Sequence, residues 1–295
     1  MTLMDGLVTA RETLISRSLR FPSNAVLNDA PGAGPVLLGS VLAVALKRAA
    51  NALKTAGVDE AGKHVDYSRL RASDAYAALR NDLTPQLRGL DLAALATHEE
   101  RLAFWINLYN VLIIDAATTF GIARSVTEGR LGILAFFRRA AYDVGGQRIS
   151  ANDIEHGILR ANRPHWAVPG QQFGPSDPRL AWRVTRFDPR IHFALNCASR
   201  SCPPIGFYDA VRIDSQLDLA AAGFIAADVA IDPERGAVRL SSIFKWFAGD
   251  FGGRAGVIAC ILRYLPAGSA GAWLAEHRGD ACLVYRAYDW GLNTP

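Results

Sequence analysis

The sequence predicts an α+β fold, largely helical with a small, mostly antiparallel sheet. Three observations predict it. A long apolar segment, ATHEERLAFWINLYNVLIIDAATTFGI, has helical periodicity and a helix-start signal. Several further segments carry helix signals of their own. Only a few short apolar runs read as strands, so the order of elements is mostly helix with a few strands. Half of the 295 residues are apolar and 20% are charged. That is enough for a real core and too apolar for a chain disordered throughout.

Taken in order, residues 1–35 carry little pattern and end in DAPGAGP. They read as an irregular or partly helical arm, with 31–35 as a loop. A helix follows over 36–56. HVDYSRLRAS reads as extended, and Ser73 then caps a short helix, DAYAALRNDL. In the long apolar segment Thr97 is followed three residues later by Glu100, a capping-box pattern. Leu102, Trp105, Ile106, Leu108, Tyr109, Leu112 and Ile113 cover most of that helix, which suits burial on nearly all sides. In ANDIEHGILR, Asn152 can cap a second helix with Glu155 three residues on, and Asn162, Arg163 and Pro164 mark its end. Residues 169–178 read as a loop. RIHFALN is a short apolar run after a proline and reads as a buried strand. DSQLDLAAAGFIAADV is helical, GAVRLSSIFKW leads from a strand into an interrupted helix, 254–264 is another helix, and ACLVYRAYDWGLN holds a last strand. No internal repeat is present.

The formal charge of +4 is diffuse. The arginines are scattered, among them Arg138, Arg139, Arg160, Arg183, Arg186 and Arg190, and no stripe of like charge argues for nucleic acid. The start MTLMDGLVTARETLISRSLR has no basic stretch followed by an apolar one, so no signal peptide is expected. VLLGSVLAVAL is too short for a membrane helix, which needs about 20 residues. A cytoplasmic location is expected. In that setting Cys197, Cys202, Cys260 and Cys282 are expected to be mostly reduced, not a disulfide framework.

Five segments occur in one order: FWINLYN (104–110), DIEHGILR (153–160), IHFALNCASRSCPP (191–204), IFKWFAGDF (243–251) and YDWGLN (288–293). In this the chain resembles the bacterial and plant family known as Domain of Unknown Function 547, over about 65–293. The resemblance implies a domain over 61–295 preceded by an N-terminal helical extension, 1–60. The family occurs alone in bacteria and joined to other modules in plants and animals. No activity is settled for it, so the resemblance supplies no substrate.

Chemistry therefore has to be read from the residues. On a straight strand His192 and Cys197 would point to opposite faces. They meet only if the chain turns near Asn196 or if Cys197 opens a new element. A cysteine beside an imidazole becomes nucleophilic at neutral pH. The bland alternative is two small buried cysteines under a loop. CASRSC also sits at the long edge of metal-knuckle spacing, with His192 and His156 as further zinc ligands. A redox disulfide between Cys197 and Cys202 is disfavoured by their spacing. Cys260 and Cys282 look structural. Glu155 has a complete explanation as a capping residue in the first turn of its helix. His156 has none, and stands four residues from Arg160 on one face. It reads as a general base or orienting group, against a surface histidine. Asn107 and Asn110 lie three apart on an apolar helix and need partners. Either they orient a histidine, as the amide does in papain-like sites, or they cap backbone of the cysteine segment. Trp246 and Trp290 read as packing residues, Asp250 as a turn or cap, and Asp289 as an acid that could orient His192 or His156.

No phosphate loop, dinucleotide fingerprint or serine nucleophile elbow is present, which argues against kinases, nucleotide hydrolases, nicotinamide enzymes and ordinary esterases. Two functional expectations remain. The first is a cysteine-dependent hydrolase or acyl/amide transferase, papain- or transglutaminase-like in logic, acting on a small molecule or peptide. Its catalytic set would be Cys197 (or Cys202), His192 or His156, and Glu155, Asn107 or Asn110 as orienting groups. The second is a non-catalytic module binding a protein or peptide partner, with the same His and Cys residues building a rigid or zinc-stiffened pocket. Apart from that zinc alternative no cofactor is expected, and neither nucleic acid nor a membrane span.

Overall fold

The computed structural model describes residues 2–19, 22, 24–31, 37–128 and 132–295. Residues 32–36, which hold most of the expected loop and the first residue of the expected helix, lie outside these. The N-terminal arm is a regular helix, α1 (Leu3–Leu19). Helix α2 (Gly39–Gly57) buries Leu42, Leu46, Ala50 and Leu53, the i, i+4, i+8, i+11 stripe of an amphipathic helix. HVDYSRLRAS is only briefly extended. Val65 bridges Val58, and the Asp66 carboxylate then accepts from the Arg69 amide to start α3 (Tyr67–Arg71). Ser73 caps α4 (Asp74–Ala78) as expected.

Helix α5 (His98–Thr119) opens with a complete capping box between Thr97 and Glu100, and every residue from Leu102 to Thr118 is buried. It packs against α2 and α3 and anchors the larger of two apolar cores. Among the described residues this is the one helix long and apolar enough to cross a membrane, and 94% of its most apolar window is covered by the rest of the protein. Its apolar character belongs to the core.

After α6 (Gly132–Arg139) comes a hairpin absent from the sequence expectation. β1 (Ala141–Val144) and β2 (Gln147–Ser150) pair antiparallel, Ala141 opposite Ser150. Gly145 and Gly146 turn it with φ of 56° and 75°, the positive values a two-residue turn demands. A three-stranded sheet lies further on: β3 (Ala230–Asp232) antiparallel to β4 (Ala237–Leu240), and β4 parallel to β5 (Cys282–Tyr285). With α7 (Ile213–Asp228), α8 (Ser242–Trp246), α9 (Gly253–Tyr264) and α10 (Ser269–Glu276) this sheet forms a second apolar core. The fold is α+β with small, mostly antiparallel sheets.

The expected strand RIHFALN is not one. Pro189–Phe193 is a 3₁₀ turn, with the Asp188 carboxylate accepting from the Arg190 amide and Pro189 at the first helical position. A proline there pre-sets the helical φ and removes a strand donor. This segment lies between the two cores: Ile191, Ala194 and Leu195 belong to the first, Phe193 to the second.

Candidate functional site

The cysteine segment is held open by amides of α5. Asn110 Nδ2 donates to the carbonyls of Ala194 (2.9 Å) and Gly206 (3.1 Å), and its Oδ1 accepts from the Asn196 amide (2.9 Å). Asn107 exchanges two bonds with the Tyr208 backbone (2.8 and 2.7 Å). Both asparagines are buried, and they do the backbone-capping work that was one of their two readings. The chain turns sharply after Asn196, and Ala198 takes a left-handed φ of 62°. That conformation is costly for a residue with a Cβ. The Asn196 side chain holds it, accepting from the Ala198 amide (2.9 Å) and donating to the Pro203 carbonyl (2.7 Å).

The turn brings Cys197 and Cys202 to a Cα separation of 6.2 Å, and they form a disulfide. This corrects the expectation of reduced thiols for Cys197 and Cys202, while Cys260 and Cys282 are free. The loop folds back on itself, and the separation lies within the range a disulfide spans. The Tyr288 hydroxyl lies 3.3 Å from the Cys197 sulfur and 3.2 Å from the Cys202 sulfur. The Ser199 hydroxyl lies 3.2 and 3.3 Å from the same two atoms. The Cys197 backbone amide donates to the Cys202 sulfur (2.9 Å).

His192 faces the same cavity. Its Nε2 donates to Asp250 (2.8 Å), and its ring stacks on Phe247 with centroids 3.9 Å apart. Asp250 is also gripped by Arg160 (2.6 and 3.0 Å) and Arg163 (3.2 Å). Burial opposes ionisation of Asp250, but the bonds from His192 and Arg160 outweigh it and hold the carboxyl well below the usual range. Burial lowers the His192 pKa, only partly offset by Asp250. The ring is thus neutral near pH 7, with its proton on Nε2. Nδ1 keeps a lone pair that makes no hydrogen bond among the described residues.

The Asp153–Leu159 segment is a π-turn rather than a standard helix, and its cap is Ser150, not Asn152. Ser150 Oγ accepts from the Asp153 amide (3.1 Å), and the Asp153 carboxylate accepts from the Ser150 amide (2.9 Å). A reciprocal box two residues earlier leaves Glu155 without a capping role. Instead Glu155 accepts from the Tyr109 hydroxyl (3.2 Å), and burial raises its pKa to about 7. His156 is buried rather than on the surface. Its Nδ1 accepts from Arg160 (2.8 Å), so Nε2 carries the proton and lies 3.9 Å from Glu155. Burial, then the charges around it, drive the His156 pKa well below normal. Gly157 is the one residue that fits beneath Phe173, because a Cβ there would lie 2.2 Å from the ring.

Tyr109, Glu155, His156, His192, Cys197, Cys202 and Tyr288 all line one cavity of about 70 Å³. Its aromatic wall continues through Trp246, which stacks on Trp166 (4.8 Å) and Trp290 (5.5 Å). His165 closes one side, 4.3 Å from the His156 ring. Burial and then the charge of Arg138 push the His165 pKa down to about 3. The cavity thus gathers Cys197, Cys202, His192, His156 and Glu155 from distant parts of the sequence, with Asn107 and Asn110 behind the loop.

The sequence reading misplaced the acid. Asp289 is exposed and bonds the Gly291 amide, whereas Asp250 is the carboxylate on His192. It also overlooked Tyr109, His165 and Tyr288 as site residues. Tyr109 counted among the apolar positions of its helix, and no sequence signal singled out Tyr288 or His165. Cys260 is half-buried in α9 and Cys282 exposed on β5, away from this cavity. Among the described residues no group of three or more His, Cys, Asp or Glu side chains is arranged to hold a metal ion.

Residues 93–225 match the model of the family described as "Protein of unknown function, DUF547". No curated protein and no solved structure matches the chain. The matched stretch contains FWINLYN, DIEHGILR and IHFALNCASRSCPP, and so Asn107, Asn110, Glu155, His156, His192 and both bridged cysteines. Asp250 and Tyr288 join the site from beyond it. The stretch that supplies most of the cavity is thus the stretch that is similar to the DUF547 family.

Proposed function

We propose that the chain is a cysteine-dependent hydrolase or acyl/amide transferase acting on a small molecule or peptide, active once the Cys197–Cys202 disulfide has been opened by an external dithiol. The observation that carries this reading is the neutral His192 held through Nε2 by Asp250, with an Nδ1 unengaged among the described residues, in the cavity that both sulfurs line. Reduction by the dithiol transfers two electrons and two protons and leaves two thiols. Cys202 is then the better nucleophile, because the Cys197 amide is a fixed donor to its sulfur and a thiolate gains from such a donor. His192 Nδ1 takes the thiol proton. The thiolate attacks the substrate carbonyl, and the leaving group departs with that proton. Water or an amine then attacks the thioester and releases the enzyme. Asp250 fixes the tautomer, the role of the third member of a triad. Glu155, with a pKa of about 7, is a second proton carrier in the cavity. A reducing compartment such as the cytoplasm would keep the active form populated.

Iodoacetamide labelling of the reduced protein against pH, with each site assigned by mass spectrometry, tests this. The expected result is one of the pair, Cys202, titrating well below the free value of about 8.5, with Asp250→Asn and His192→Gln raising it. If both thiols titrate at or above the free value, the nucleophile reading falls and a rigid binding pocket remains.

A further inference from the structure

A second and larger cleft, of about 860 Å³, lies beneath α1. Its roof is pinned at both ends: Asp5 accepts from the Ser176 amide (2.9 Å), and Arg11 donates to the Pro169 carbonyl (2.8 Å). Arg17, Arg138, Arg148 and Arg179 line the cleft, together with Asp5, Glu12, Asp153 and Asp177. Arg138 has a side chain only 5% exposed. Its Nε and one terminal nitrogen donate to the Glu12 carboxylate (3.1 and 3.4 Å), while its other terminal nitrogen, Nη1, is buried with no hydrogen-bond partner among the described residues. A buried guanidinium N–H without an acceptor is an unfavourable state that calls for an occupant. The other acids of the cleft are already engaged. Asp5 is held by Thr2 and Ser176, Asp153 by Ser150 and Gln172, and Asp177 by Arg179.

We propose that this cleft binds a small oxyanion, a carboxylate or phosphate group, on the fork of Arg138, and that Glu12 of α1 stands in for that group when the cleft is empty. A guanidinium presents parallel donors that match a carboxylate or phosphate, and Nη1 supplies the donor that Glu12 leaves unused. Arg148 also lines the cleft, while Arg179 is already paired with Asp177 (2.7 Å) and Asp153 (3.5 Å). Glu12 is also paired with Arg11 (2.9 Å) on the same helix, so an incoming anion on Arg138 displaces one side chain that keeps a partner of its own.

Titration calorimetry with inorganic phosphate and with succinate, at constant ionic strength set by chloride, tests this on the full chain. The expected result is saturable binding of at least one probe. Which of the two binds distinguishes a phosphate from a carboxylate ligand. Glu12→Gln should bind at least tenfold tighter, since it removes the internal competitor. Arg138→Lys keeps the charge without the fork and should bind at least tenfold weaker, with circular dichroism checking its fold. No saturable binding of either probe to Glu12→Gln would overturn the proposal. So would equal affinity in wild type and a folded Arg138→Lys.

Discussion

Helix α5 and the Asp153–Leu159 π-turn both carry polar side chains into the interior, and they use them differently. On α5, Asn107 and Asn110 spend their amides on backbone groups of the cysteine segment. Asp115, fully buried, accepts from Tyr76 (2.7 Å), Tyr142 (2.8 Å) and Arg80 (3.1 Å). On the π-turn, Glu155 has one partner at 3.2 Å and a pKa displaced to about 7, and His156 keeps a proton on Nε2 with only a carboxylate 3.9 Å away. A buried polar group with all its partners fixes architecture, because every lost bond is costly. One with spare capacity and a displaced pKa is poised to exchange protons. Asp250 belongs to both kinds: it is sealed by two arginines, yet holds a histidine that opens on the cavity.

The strongest way to break this contrast is Asp250→Ala. It strands buried Arg160 and His192, and should cost about 3–5 kcal/mol in urea unfolding. A cost below about 1 kcal/mol would show that the ion cluster is not the seal it resembles. Asn110→Ala removes three backbone partners at once and should cost about 3 kcal/mol while leaving the Glu155 titration in place. A matching loss of the titration would mean that the two regions are not separable. Glu155→Gln should act with the opposite sign. Its folded pKa, about 7, lies above the ordinary 4.5, so the contribution of this group is fully present below pH 4.5 and is lost as pH rises through 7. The variant should therefore match wild type at pH 4 and exceed it by about 2 kcal/mol at pH 8, discounted for the 17% exposure of the side chain. Parallel pH profiles for the two proteins would remove Glu155 from the titrating class. Thr97→Ala, which breaks the capping box far from the cavity, should cost about 1 kcal/mol with no effect on thiol labelling.

Much of this architecture was legible because it rests on local signals. The Thr97–Glu100 box, the Ser73 cap and the buried circumference of 102–118 are statements about neighbours within one or two turns. The β1–β2 hairpin was legible as well, in the Gly145-Gly146 pair, and was overlooked. The site was legible as a set of residue types but not as a set of relations. Glu155 read as a cap because its spacing from Asn152 fits one, and Ser150 took that role instead. Asp289 read as the orienting acid on nothing but its neighbourhood in the sequence. The carboxylate that reaches His192 comes from Asp250, 58 residues away along the chain.

The sequence by itself determined the helical character, the α+β class, the long buried helix and the residue types that could carry chemistry, since periodicity and capping act within a few residues. Only the tertiary structure decided which of them meet. A 3₁₀ turn and a left-handed Ala198 turn the cysteine segment inward, and α5 amides hold it there. Burial between two cores, which no local pattern encodes, sets the protonation of His192, His156 and Glu155, because desolvation is a property of everything packed around a group.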